Sequence, residues 1–282
     1  MPIITFKGNG IKETGNTSSA IATATYMAIE HNMKVLLIST SLNEDTIKES
    51  FWPETVKKSI LPKTQVQTIS AIQSGIEGLS RMVTSSKIEP RIIKDYTNVV
   101  LTGRYDVLLG ITGDRTQYKE IQINYPKVVS VANQYYDMVI VDLDKRILPQ
   151  IQEEILKITD VVVMTTCQKV RDITKLNEFI EKTEYLGEKN TLITIGRYDD
   201  YLKCNAKNVT RNIFRRRKTI NTVPYNGKYY EAMQEGTVID LFLNWLRVKN
   251  KKDHSYFFLT EVQRLAESIN EKWEEVRMKR GI

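Results

Sequence analysis

Continuous apolar runs alternate along the chain with stripes of apolar residues at helical spacing. Ile3-Ile4-Thr5-Phe6 and Val35-Leu36-Leu37-Ile38 have the length and composition of buried strands. Between them Ala20, Ile21, Ala24, Met27 and Ala28 recur on one side of a helix that should run from about residue 17 to 31. Small residues on that side would let the helix sit close to the strands. Further helices are expected over 54–60 and over 69–84, where Ile72, Ile76, Leu79, Met82 and Val83 share a side. Trp52-Pro53 and Leu61-Pro62 break the pattern. Strands are expected at 98–101, 105–110, 136–144, 161–164 and 192–195, with helices at 125–134 and 172–186. These strands are apolar throughout and do not alternate, as in a sheet covered on both sides. The predicted class is α/β: a mostly parallel sheet with helices on both faces.

One domain is expected over 1–246. A charged stretch, Arg247-Val248-Lys249-Asn250-Lys251-Lys252-Asp253, then opens a C-terminal helical extension over 247–282. In it Leu259, Val262, Leu265, Ile269, Trp273 and Val276 form an apolar stripe. The stripe suits a last helix docked on the core, or a helix that binds a partner or a second copy. A membrane-surface helix fits less well, because acids balance the bases on its polar face.

Composition narrows this picture only a little. The 282 residues are 41% hydrophobic and 27% charged, ordinary for a globular protein, and the net charge of +7 is mild. No apolar run reaches the roughly 20 residues of a membrane span. The opening residues read as a strand and not as a signal peptide. Cys167 and Cys204 lie far apart without metal-ligand spacing, which suits a reducing, cytoplasmic setting. With only His31 and His254, a histidine-based site is not expected.

The candidate chemistry lies between the first strand and the first helix. Gly10-Ile11-Lys12-Glu13-Thr14-Gly15-Asn16-Thr17 has the spacing of the phosphate loop G-x-x-x-x-G-K-[S/T], with Asn16 where the lysine belongs. Loop amides and a helix N-terminus converge on an anion in such a place. A structural glycine turn is the alternative. A nucleotide triphosphatase also needs a hydroxyl on Mg²⁺ and an acid at a strand end. Thr17, with Ser18 beside it, supplies the first, and Asp142, after Val139-Ile140-Val141, supplies the second or else caps the next segment. Lys12 could fold over a phosphate or remain a solvated loop charge.

Together with this loop, Tyr136-Asp137-Met138-Val139-Ile140-Val141-Asp142, Asp160-Val161-Val162-Val163, Gly196-Arg197-Tyr198-Asp199 and Val223-Pro224-Tyr225-Asn226 with Glu231-Ala232 and Glu235-Gly236 occur in an order that resembles the ParA/MinD group of P-loop ATPases. Within the group the chain is most similar to the pilus-localising TadZ/CpaE branch, without that branch's N-terminal receiver-like domain. The resemblance covers most of residues 3–246. It implies ATP or ADP with Mg²⁺, held by Gly10, Lys12, Gly15, Asn16, Thr17 and Ser18, with Arg197 toward the base, Thr17 and Asp142 on the metal, and Asp142 in the catalytic position. It also implies a homodimer and a protein partner from a localisation or secretion system.

Four chemical positions depart from the group. Its signature lysine aligns with Ile11, its universal lysine with Asn16, its second-strand acids with Ser39 and Ser41, and its base-contacting asparagine with Gly196. Robust hydrolysis is therefore not expected. The favoured reading is a divergent nucleotide-binding positioning protein with weak or absent hydrolysis. The alternatives are a nucleotide-free scaffold and a partition protein that binds DNA non-specifically through Arg211, Arg215, Arg216, Arg217 and Lys218. A solvated helix end explains those basic residues equally well.

Overall fold

The computed structural model describes residues 1–10, 13–43, 46–52, 75–84, 89–183, 186, 190–212, 220–248, 250 and 253–280. Eight strands form one sheet: β1 (Ile3–Gly8), β2 (Val35–Ser39), β3 (Asn98–Leu101), β4 (Tyr105–Leu108), β5 (Met138–Leu143), β6 (Val161–Thr166), β7 (Thr191–Tyr198) and β8 (Asn221–Pro224). Their order is β3-β4-β2-β5-β1-β6-β7-β8, and all pairs are parallel except β3 with β4. The expected class holds, with that one edge strand reversed. From β1 the chain winds outward to β2 on one side, and later to β6, β7 and β8 on the other. The carboxyl ends of the strands around this reversal are where open α/β sheets place ligands.

Both faces of the sheet are apolar, which is why the strands show no alternation in the sequence. Ile4, Phe6, Val35, Leu37, Met138 and Ile140 pack on the face of α1 (Asn16–Glu30), while Ile3, Leu36, Ile38, Val139 and Val141 pack on the opposite face. The α1 face also carries α2 (Thr46–Phe51), α9 (Gly227–Glu235), α10 (Val238–Trp245) and α11 (His254–Arg280). The other face carries α3 (Gly75–Thr84), α4 (Arg115–Gln122), α5 (Tyr125–Ala132), α6 (Pro149–Ile158), α7 (Val170–Lys182) and α8 (Ala206–Asn212). The stripe on α11 lies against α1 and β8, with Phe258, Val262, Leu265, Ala266 and Ile269 fully buried. Glu261 fixes its register on the sheet edge, accepting from the Thr222 hydroxyl and from Arg264.

The first helix starts at Asn16 and ends at Glu30, as its spacing predicts, and helix α5 starts at Tyr125. Helices α2, α4 and α6 lie where the sequence offered no predicted element. The strand predicted at 192–195 continues to Tyr198, so Gly196 and Arg197 belong to β7. The helix predicted over 54–60 and the first part of that over 69–84 lie outside the described residues. Among the described residues no helix is long and apolar enough to cross a membrane.

Candidate functional site

Sheet register sets the site. Phe6 on β1 and Ser39 on β2 are both paired with Asp142 on β5, so the three residues form a row across adjacent strands. Side chains in that row face α1, whose first residues, Asn16 and Thr17, arrive directly over it. Asn16 Nδ2 donates to Asp142 Oδ1 at 2.7 Å and to the Phe6 carbonyl at 3.2 Å, and Thr17 Oγ1 donates to Asp142 Oδ2 at 2.8 Å. Three residues singled out from the sequence thus form one clasp. Asp142 is buried, and both its oxygens accept from the start of α1.

The loop before α1 is shaped by positive φ angles at Gly10 (82°), Glu13 (62°) and Gly15 (76°). At Gly10 and Gly15 glycine meets this requirement without strain. Gly15 is the N-cap residue and brings no side-chain cap, so the N–H groups of the first turn point toward the cleft that Asn16, Thr17 and Ser18 line. Ser18 Oγ bonds the Gly15 carbonyl at 3.0 Å. The loop rests directly on the end of β7: a Cβ at Gly196 would overlap the Thr14 carbonyl oxygen and crowd Gly15 Cα. Gly196, where the resemblance places a base-contacting asparagine, has no room for a side chain because the loop passes there.

Arg197 lies beside this crossing with φ 50°, and its guanidinium pairs with Glu13 Oε2 at 3.5 Å. At the other side of the loop, the Asn9 amide donates to Thr166 Oγ1 at 2.9 Å. Tyr229, buried on α9, donates its hydroxyl to the Ser18 carbonyl at 2.8 Å and pins the first turn from above.

The end of β2 is different. Ser39 and Ser41 hydroxyls bond each other at 2.9 Å, the Tyr125 hydroxyl donates to the Ser39 carbonyl at 3.1 Å, and the Tyr118 hydroxyl donates to the Thr40 carbonyl at 2.9 Å. Gly110 packs so tightly on Ser41 that a Cβ would overlap its carbonyl oxygen. Both serines are buried, and both line the edge of the cleft described below. Beyond β5, Asp144 and Arg146 form a forked pair at 2.9 and 2.6 Å. The loop carrying them is held from below by Gln152, whose amide donates to the carbonyls of Lys145 and Ile147. Lys7, on the opposite face of β1 from Phe6, donates to Gln152 Oε1, and burial lowers its ammonium to about 8. It is a cation beneath the strand ends that faces away from the cleft.

These parts line a cleft of about 720 Å³, closed on two sides by α2 and α9 and floored by the loop and by Asp142. Gly10, Gly15, Asn16, Thr17, Ser18, Asp142 and Arg197 all line it. Lys12 lies outside the described residues, as do Arg215, Arg216, Arg217 and Lys218, whereas Arg211 is exposed at the end of α8. Sequence reasoning missed Glu13, Tyr229 and the reason for Gly196. Each acts through a contact between distant parts of the chain, for which no local signal exists.

No protein-family model matches the chain, and no curated protein matches it. Solved structures do. One is a ParA family ATPase from Chlorobium tepidum TLS, at 14% identity and a TM-score of 0.65 over 94% of this chain and 97% of that one. The fold is that of the ParA/MinD ATPases. The septum site-determining protein MinD of Pyrococcus horikoshii OT3, complexed with Mg-ADP, is similar at 14% identity and TM-score 0.61, covering 95% of each chain. A Borrelia burgdorferi B31 protein assigned to plasmid partition and bound to AMPPNP is similar at 16% identity and TM-score 0.62, covering 99% of each. At such identities the likeness establishes the architecture and leaves the chemistry to the residues of the cleft.

Proposed function

We propose that the chain is a divergent nucleotide-binding positioning protein with weak or absent ATP hydrolysis, which works as a homodimer and recruits a protein partner, in the manner of the pilus-localising branch it resembles. The observation that carries this reading is the clasp of Asn16 and Thr17 on Asp142 at the floor of a loop-lined cleft. The cradle persists: an uncapped helix N-terminus, a loop with three positive φ angles and a hydroxyl–carboxylate pair. Mg²⁺ fits that pair, because the Thr17 hydroxyl donates its hydrogen bond to Asp142 and keeps its lone pairs for a metal; Thr17 and Asp142 would hold the ion, which would offset phosphate charge. No group of three acidic, histidine or cysteine side chains able to hold a metal occurs among the described residues, so water and phosphate oxygens would complete the shell.

Hydrolysis is what these residues support poorly. Asn16 brings no ammonium, and a charge-assisted contact of that kind typically contributes ~2–4 kcal/mol in the transition state. Ser39 and Ser41 are bonded to each other and offer no carboxylate. ADP should raise the melting temperature of the full chain, since a ligand of the folded state at a hundredfold excess over Kd stabilises it by ~2.7 kcal/mol. Phosphate release should stay at background. Steady release abolished by Asp142→Ala would sink the inactive reading, and a chain that sediments as a monomer with and without nucleotide would sink the dimer.

The same clasp favours a second reading, a scaffold that binds no nucleotide, because Asp142 already has donors on both oxygens. Absence of any thermal shift at millimolar ADP or ATP would select it.

A further inference from the structure

We propose that Arg146 is the cation that meets the terminal phosphate of a bound nucleoside triphosphate, and that the Asp144 carboxylate occupies its guanidinium until the nucleotide arrives. The inference rests on the nucleotide reading above and adds a binding residue to it. Asn16 carries no charge where a loop of this spacing sets an ammonium on the outer phosphates. Among the described residues that line the cleft, the cations are Lys145, Arg146 and Arg197. Arg197 stands on β7 and pairs with Glu13, and β7 lies on the opposite side of β1 from β5. The clasp of Thr17 on Asp142 marks where outer phosphates and their metal would lie, because the metal of such a site bridges them. Arg146 follows Asp142 by four residues, just beyond the end of β5.

The backbone around Arg146 is fixed while its side chain stays open to the cleft. The Asp144 N–H donates to Thr40 Oγ1 at 2.7 Å, the Leu148 N–H donates to Gln122 Oε1 at 2.8 Å, and Ile147 is buried. Gln152 holds the carbonyls on either side of Arg146, those of Lys145 and Ile147. The Arg146 side chain is 35% exposed and donates to Asp144 from Nε at 2.9 Å and from Nη2 at 2.6 Å. That fork is also the geometry in which an arginine takes two oxygens of a phosphate. A terminal phosphate offers the same two oxygens with more charge, so it competes with the carboxylate for the guanidinium. Asp144 is not stranded by the exchange. Its Oδ1 also accepts from the Arg146 N–H at 2.7 Å, a bond that a side-chain rotation leaves in place.

Calorimetric titration of the full chain with Mg-ATP and with Mg-ADP tests the assignment. Arg146→Ala should weaken ATP about tenfold, the loss expected for one charge-assisted contact, and ADP by less. Arg146→Lys should recover only part of that loss, because an ammonium keeps the charge and loses the fork. Lys145→Ala removes the same charge one residue away and should cost ATP much less. Asp144→Asn removes the competing carboxylate and should raise ATP affinity, and the gain should vanish when Arg146→Ala is added. Equal ATP affinity in the parent and Arg146→Ala overturns the inference and leaves the nucleotide reading standing. So does an equal loss in Lys145→Ala, or an Asp144→Asn gain that survives in the double variant. Binding of neither nucleotide at millimolar concentration, to the folded parent or to Asp144→Asn, removes both.

Discussion

At the amino ends of the parallel strands three carboxylates each accept from a donor across the sheet; at the carboxyl ends the backbone takes positive φ angles and Asn16 Oδ1 has no partner. At the amino ends Asp160 accepts from the Ile3 N–H at 2.9 Å, Asp137 from the Lys34 N–H at 2.8 Å, and Asp106 from the Tyr136 hydroxyl at 2.7 Å. The Lys34 ammonium lies 3.4 Å from the centre of the Tyr135 ring. At the carboxyl ends Glu13 and Arg197 hold positive φ, α1 starts uncapped, and Asn16 Oδ1 is buried without a partner. Buried polar groups without partners and strained backbone persist where something other than folding stability maintains them. The contacts named at the amino ends serve stability, whereas the carboxyl ends carry the cleft in which we propose that a nucleotide binds.

The largest test breaks the carboxyl end at its tightest point. Gly196→Ala places a methyl group against the Thr14 carbonyl, so either the loop lifts or β7 shifts. We expect a loss of about 3 kcal/mol in denaturant unfolding, the upper part of the range for overpacking, together with loss of nucleotide-induced stabilisation. Gly227→Ala is the control: nothing lies within 4 Å of the added carbon, at the start of α9. It should be neutral or slightly stabilising, because alanine is the better helix former. Equal losses in the two variants would show that the loop does not rest on Gly196.

The next test addresses the amino end. Tyr136→Phe leaves the buried Asp106 carboxyl without its donor and should cost about 1–3 kcal/mol with no change in nucleotide affinity. Burial raises the Asp106 pKa above the ordinary carboxylate value, against opposing pulls from the Tyr136 hydrogen bond and Lys34. The folded chain therefore holds this proton more tightly than the unfolded chain. The corresponding stability is fully present below the ordinary carboxylate pKa and is lost as the pH rises toward the raised one. Asp106→Asn removes that dependence. Between acid and neutral pH the variant should lose less stability than the parent, as measured by unfolding at each pH.

Much of this architecture could be read before any coordinates. Apolar runs identified the central strands; Asn16 and Thr17 were singled out from the loop spacing and Asp142 as a strand-end acid, and their side chains meet at 2.7 and 2.8 Å. The reversed direction of β3 was not legible, since four residues carry no sign of orientation. Helix α4 was missed because Tyr118 and Ile121 are its only large buried apolar residues, too few to declare a period. The sequence alignment treated Gly196 as a lost base contact. The structure gives another reason for the glycine, the loop that crosses it, and that reason exists only once β7 and the loop meet. Ser39 and Ser41 read as missing acids, but that their hydroxyls bond each other at the edge of the cleft, with Tyr118, Tyr125 and Gly110 packed behind them, was not legible.

The smallest expected effect is at the rim, where Glu13 and Arg197 pair across the mouth of the cleft. The two charges are 3.5 Å apart, with side-chain exposures of 78% for Glu13 and 44% for Arg197, so the pair contributes little to stability. Exposed pairs of this kind usually contribute about 0–1 kcal/mol. Glu13→Gln should therefore leave unfolding within about 0.5 kcal/mol of the parent. Its effect on an anion is separate: the change removes a negative charge from the loop before α1 and leaves the Arg197 guanidinium without its acidic partner. Nucleotide affinity should rise by a few-fold at low ionic strength, and the gain should fade as salt screens exposed charges beyond about 10 Å at 0.1 M. Arg197→Ala should lower affinity under the same conditions, again with little change in stability. Titrations of both variants at two salt concentrations check the pair. A gain for Glu13→Gln that persists undiminished at high salt would mean that Glu13 acts by shaping the loop at φ 62°, not by its charge.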